Sequence, residues 1–313
     1  TSTEGVESVE AMLALARIYE TQADQRDSLK LAAEWYMSAI AVAEKATENS
    51  MDLEAADVTA QAKSGLAAIQ LLQDSAFPDA HADVRFGNYH ALVVANEDYS
   101  DLTDLSAPIK DGRDVGALLG DRYGFQVEYL LNGRRNDFLA KVDQYRRRLG
   151  PEDNFLIYYA GHGAFDTELN LGFWQLADAL SDASYTWVDT DRLTQTLNLF
   201  RTRNIMVVAD SCFSGAVFRG SDEPDLTFPD DSAAMQTLID RKTRVALTSG
   251  GMEPVIDSSG GDNSIFAEEL LRALAASEEV ATAAQISARV RGRVASRSRL
   301  SGYEQVPEFS PLY

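Results

Sequence analysis

A chain of 313 residues, 45% of them apolar, can bury a sizeable core, and at this length it favours one large domain plus an appendage over one oversized unit. Its 28 basic against 49 acidic residues leave a net charge of −21, which argues against nucleic acid and anionic membranes as partners and favours cationic substrates. No apolar run approaches the about 18 residues of a membrane span, Thr1 does not open a signal-like segment, and a lone cysteine excludes an intrachain disulfide, so a reducing cytoplasm is the expected compartment.

Residues 6 to about 75 read as helices. Val6, Met12, Leu13, Leu15, Ile18 and Tyr19, then Leu29, Leu31, Trp35, Tyr36 and Ile40, recur at helical intervals, and a third helix runs from about Leu53 to Leu72. The phrase ALARIYETQADQRDSLKLAAEWYMSAI resembles one unit of a Sel1 or tetratricopeptide helical repeat. Such units are stable by stacking on neighbours. A helical appendage docked on the rest of the chain is therefore preferred to a partner-binding array, although sequence before Thr1 would reverse that preference. Residues 76–88 carry Pro, Gly and Asp without periodicity and mark the boundary, so a helical segment over 1–80 precedes a second domain over 81–313.

An alternating pattern then begins. Tyr89–Ala95 reads as a strand, Lys110–Leu119 as a helix, Phe125–Leu130 as a strand and Asn136–Leu149 as an amphipathic helix. Phe155–Ala160 and Ile205–Ala209 are continuous apolar runs, each followed by a glycine-containing break, as strands buried on both faces of a parallel sheet read. Thr243–Ser249 is a further strand, and Ser264–Ala275 a helix with Asn263 or Ser264 as cap and Glu268 and Glu269 in its first turns. The expected fold is α/β, a mostly parallel sheet covered by helices on both faces. Arg289, Arg291, Arg293, Arg297 and Arg299 make a basic last helix, read as a solvated face or one paired with acidic residues in preference to a nucleic-acid site.

In parallel sheets the ligand crevice lies beyond the carboxyl ends of the strands. His162 and Cys212 follow two such strands, in GHG (161–163) and DSCFSG (210–215), with Cys212 50 residues (212 − 162) after His162. A thiolate is a strong nucleophile, and a neighbouring imidazole can take its proton. Separately, a buried inert thiol and a capped core histidine are the plainer readings; the matched strand-end positions favour catalysis. His81 and His90 read as surface or packing residues, and three histidines with one cysteine do not suggest a closed zinc site, so no metal or cofactor is assigned. Asp210, two residues before the thiol, would raise its pKa unless a cation offsets the charge, and a substrate Arg or Lys would supply that cation. There is no phosphate-binding glycine loop of either common type, which ranks a nucleotide-binding domain last.

The two boxes and their spacing resemble those of the caspase-like cysteine peptidases. Asp-Ser-Cys at 210–212, where caspases carry Gln-Ala-Cys, points toward the metacaspase and paracaspase side. The likeness spans roughly residues 88–313 and also takes in FWQLADAL, a loose form, without its proline, of a phrase in bacterial caspase-family proteins, and RVALTSGGMEPVID with NSIFAEELLRAL. It implies a caspase-like fold with a large-subunit part at 88–217, a linker at 218–242 and a small-subunit part at 243–313. It also implies a cysteine endopeptidase with Cys212 as nucleophile, His162 as general base, and the Gly163 and Cys212 N–H groups as oxyanion donors. LSAPIKD (105–111) resembles the paracaspase phrase whose final Asp joins the Asp before the nucleophile in the primary specificity pocket. That resemblance assigns Asp111 and Asp210 to a basic side chain before the cut, although Asp111 also reads as an ordinary first-turn acid. Two carboxylates match a guanidinium fork better than an ammonium, so Arg is expected over Lys. Self-cleavage, common among relatives, is expected at Arg219, Arg241, Lys242 or Arg244. Calcium activation occurs among metacaspases, but no EF-hand-like loop is found. The alternative is a catalytically silent caspase-like scaffold that recruits protein partners through its N-terminal helices.

Overall fold

The computed structural model describes residues 12–19, 26–47, 59–67, 69, 84–211, 236–237, 240–250, 263–276, 281–300 and 305–312. The first three stretches are helices, α1 (12–19), α2 (Arg26–Thr47) and α3 (59–67). They belong to one compact unit, and the described chain from Val84 onward belongs to a second. The core of the first unit sets small side chains, Ala16, Ala32, Ala33, Ala39 and Ala62, against Leu13, Tyr36 and Ile69. Alanine at the contacts lets helices approach closely, so these three bury a face on one another.

The second unit runs β1 (Asn88–Ala95), α4 (Pro108–Tyr123), β2 (Gln126–Leu131), α5 (Arg135–Arg148), β3 (Asp153–Ala160), β4 (Gly163–Asp166), β5 (Leu171–Trp174), β6 (Val188–Asp189), α6 (Thr190–Asn198), β7 (Asn204–Asp210), β8 (Thr243–Thr248), α7 (Ile265–Ala275), α8 (Ala283–Leu300) and β9 (Glu308–Pro311). The main sheet has the order β2-β1-β3-β7-β8-β9. All its pairs are parallel except β8 with β9. Successive strand residues point to opposite faces, and the two cores divide accordingly. Leu92, Val94, Phe155, Ile157, Tyr159, Ile205 and Val207 meet Phe138, Val142 and Tyr145 of α5 and Leu193 and Leu197 of α6. Ala91, Val93, Tyr158, Ala160 and Val208 meet Val115 and Leu119 of α4, Ile265, Phe266 and Leu270 of α7, and Val290 and Val294 of α8. Each large apolar side chain so buried contributes about 1.5–3 kcal/mol, which explains the continuous apolar runs.

Strand order reverses between β1 and β3, because β2 lies on one side of β1 while β3 and β7 lie on the other. The loops leaving β1 and β3 therefore diverge at the carboxyl edge, the place where α/β sheets generally bind ligands.

Three features were not expected from the sequence. A small antiparallel sheet, β4-β5-β6, rises from the strand-end glycines, with Gly163 opposite Trp174. The edge strand β9 returns antiparallel to β8. Asp178, in the loosely kept phrase, accepts the Arg135 N–H at 2.8 Å and so satisfies a donor at the start of α5. Elsewhere the periodic segments fall within a few residues of expectation, and Ser264, one of two anticipated caps, accepts the Ala267 N–H at 2.9 Å. The arginine-rich α8 pairs with acids of α7: Arg297 reaches Glu268 at 2.6 Å and Glu269 at 2.7 Å, and Glu269 is only 1% exposed. His90 is buried, with Nε2 3.4 Å from Asp153; His81 lies outside the described residues. No described helix is long and apolar enough to cross a membrane.

Candidate active site

His162 leaves β3 two residues past Ala160, and its main chain is gripped on both sides. Its N–H donates to the Tyr99 hydroxyl at 2.9 Å. Its carbonyl accepts the Gln175 N–H at 3.0 Å and lies 2.6 Å from the Tyr159 hydroxyl. Tyr159 is stacked on Trp174 with ring centroids 4.3 Å apart, so packing fixes the donor before it reaches His162. The preceding Gly161 has φ +156, and a Cβ there would fall 2.7 Å from the Tyr99 hydroxyl and 3.0 Å from that of Tyr159. Glycine is therefore required to let both hydroxyls close on the turn.

The imidazole is oriented by the loop between β1 and α4. Its Nε2 lies 2.7 Å from the Thr103 carbonyl, and the Tyr99 ring packs on it at 4.7 Å. A carbonyl can only accept, so Nε2 carries the proton in the neutral ring and Nδ1 keeps the lone pair that can act as a base. The same loop is pinned from within. Tyr99 N–H donates to Asp104 at 2.9 Å, Ile109 N–H to Glu97 at 2.9 Å, and Asn132, at φ 47 after β2, accepts the N–H groups of Glu97 and Asp98 at 2.8 and 3.1 Å. No side-chain motif announces these holders: the key one is a main-chain carbonyl, and only the paired tyrosines of FLIYYAGHG offered a signal.

Asp111 and Asp210 come together. Asp111 lies in the first turn of α4 and is 1% exposed; Asp210 ends β7 and is 8% exposed. Ser264 joins them: its N–H lies 3.2 and 3.3 Å from the two Asp111 carboxylate oxygens, and its hydroxyl donates to Asp210 at 2.6 Å. The sequence pointed to Ser264 only as a cap. Burial first, and then the charge of Asp210, push the Asp111 carboxyl up to about 7, against the opposing hydrogen bonds from Ser264 and Asn263. Outside this pair, Lys110 bonds Asp114 at 2.6 Å and Asn263 at 2.8 Å, so that lysine is already committed at the rim. The inner acids form a buried carboxyl pair that a proton or an entering cation would stabilise.

Cys212 and Arg219 lie outside the described residues. Gly163 opens β4 beside His162. Arg241 and Lys242 are exposed just before β8, and Lys242 reaches the Asn198 carbonyl at 3.3 Å. Arg244 differs. It is buried inside β8, paired with Ile205, and its guanidinium donates to the carbonyls of Phe200 at 3.3 Å, Thr202 at 2.5 Å and Thr243 at 3.1 Å, and to that of Arg203. Arg244 is thus held inside the sheet, whereas Arg241 and Lys242 are exposed. Among the described residues no three His, Cys, Asp or Glu side chains converge as metal ligands would.

A sequence profile described as Caspase domain matches residues 88–312. No curated protein matches the chain. Among solved structures, caspase-1 from Spodoptera frugiperda superposes with a TM-score of 0.52 at 14% identity, over 73% of this chain and 88% of that one, a likeness of fold. A structural-genomics protein from Geobacter sulfurreducens aligns with a TM-score of 0.49 at 20% identity, over 71% of this chain and 92% of that one.

Proposed function

The chain belongs to the caspase-domain family, and on that premise we propose that it is a cysteine endopeptidase cutting peptide bonds after arginine, and less efficiently after lysine. The observation that carries this reading is the buried meeting of Asp111 and Asp210 on Ser264, at the carboxyl edge from which His162 leaves β3. Register adds support: Ala160 pairs with Asp210, so His162 and Cys212 each stand two positions past one rung of the sheet.

In the proposed reaction, Nδ1 of His162 takes the thiol proton of Cys212, and the thiolate attacks the carbonyl carbon after the bound arginine. The N–H groups of Gly163 and Cys212 receive the developing oxyanion; in other hydrolases one such donor is worth about 2.7–4 kcal/mol of barrier. Collapse expels the amine, which takes the proton back from the imidazolium. Water, deprotonated by His162, then hydrolyses the thioester and restores the thiol. The Thr103 carbonyl stabilises the imidazolium and, in the neutral ring, holds the proton on Nε2. The carboxyl pair acts in substrate choice. A guanidinium donates to both carboxylates in two-pronged geometry and offsets one of their two charges, an ammonium satisfies them less completely, and an aspartate side chain would add a third negative charge.

Fluorogenic peptides ending in Arg, Lys or Asp, offered to the wild type and to Cys212→Ala, test the proposal. Turnover is expected for Arg above Lys, none for Asp, and none in the variant. Equal turnover of the Asp peptide, or activity persisting in Cys212→Ala, would overturn it.

A further inference from the structure

One polar group near the carboxyl pair plays no part in the chemistry above. Tyr158 lies two residues from the carboxyl end of β3, is fully buried, and has a hydroxyl that no described residue hydrogen-bonds. Register places Tyr158 beside Val208 of β7 and places Ala160 beside Asp210, one pleat further along. Strand alternation puts all four side chains on one face, the face covered by α4, which carries Asp111, and α7, which Ser264 caps. The tyrosine is thus directed under the two helix starts between which the acids meet. Asp210, Asp111 and Asp114 all act electrostatically on its hydroxyl, after burial itself, and hold it in the protonated form.

A buried hydroxyl without a partner is costly, so its retention calls for something that completes it. We propose that Tyr158 is a specificity-determining residue acting with the two acids, its hydroxyl oxygen accepting an N–H of the substrate guanidinium while its proton turns to a carboxylate. This rests on the arginine-directed reading above and deepens it. A guanidinium spreads five N–H donors over a planar fork and has donors left after two carboxylates are served, whereas the three donors of an ammonium are met by the acids alone. Tyr158 therefore favours arginine over lysine.

The test is a binding titration on Cys212→Ala chain, with and without Tyr158→Phe, using two otherwise identical peptides that carry Arg or Lys before the scissile bond. Tyr158→Phe is expected to weaken the Arg peptide about tenfold, the value of one hydrogen bond to a charged partner, and the Lys peptide by no more than about twofold. The melting temperature of the free chain should hold or rise, since a buried unpaired hydroxyl is removed with no loss of packing volume. Equal weakening of both peptides, or of neither, overturns the role of Tyr158 while leaving that of the two acids intact. An Arg peptide that binds no better than an Ala peptide before any change at Tyr158 removes the arginine-directed reading, and the inference with it.

Discussion

The buried pair of Asp111 and Asp210 makes a thermodynamic prediction that can be tested without any substrate. Asp111 has a folded pKa of about 7 against an ordinary value of 3.8. A carboxyl with a raised pKa binds its proton more tightly in the folded state than in the unfolded one. Stability linked to it is therefore fully present below about pH 4 and is lost as pH rises toward and through 7. The shift of 7 − 3.8 units, at about 1.4 kcal/mol per unit, puts the loss on the order of 4 kcal/mol above pH 8. Asp111→Asn keeps the volume and an oxygen to accept the Ser264 N–H but removes the titration. At pH 5 the gap between variant and wild type should be small, since only the part of the shift between 3.8 and 5 has been lost. At pH 8.5 the variant should melt higher, at roughly 2–4 °C per kcal/mol gained for a unit of this size. Arg-peptide cleavage should fall at least about a hundredfold, because one of two carboxylates facing the guanidinium is gone. Melting followed by circular dichroism at the two pH values, beside peptide assays, reads both effects. A wild type equally stable at pH 5 and 8.5, or a variant sharing its pH slope, would refute the argument that burial and Asp210 strain this carboxyl.

Tyr159→Phe removes the hydroxyl lying 2.6 Å from the His162 carbonyl while keeping the ring stacked on Trp174. Its effect should fall on kcat, down about tenfold, with KM nearly unchanged, since the residue positions the base and does not meet the substrate. Self-cleavage, proposed at Arg219, Arg241 or Lys242, is checked by intact mass of incubated wild type against Cys212→Ala. Fragments should appear only in the wild type, none should end at Arg244, and unchanged mass with full peptidase activity would dismiss processing as a requirement.

The strands that precede His162 and Ser211 were legible in the sequence because each is a continuous apolar run, which reads as a strand buried on both faces. The same holds for α4 and α7, whose apolar periodicity belongs to the segments themselves, as does the Ser264 cap of α7. The β4-β5-β6 sheet escaped notice because its strands have four residues or fewer and do not alternate over a long enough span to declare a period. Arg244 misled for a related reason: in sequence it looks like one more cation after an open loop, and only the carbonyls of the chain before β7 and the strand beside it show that it is an internal tie.

Composition and periodicity by themselves determined that the second part of the chain is a layered α/β unit, with His162 just past the end of one of its buried strands. Tertiary structure alone decided that a main-chain carbonyl, that of Thr103, orients the imidazole, and that Ser264, fifty-four residues (264 − 210) past Asp210, holds it to Asp111. The difference is physical. Strand and helix formation is encoded in the spacing of side-chain types along one segment, whereas a carbonyl is the same at every residue, and which one meets His162 depends on how separate segments pack.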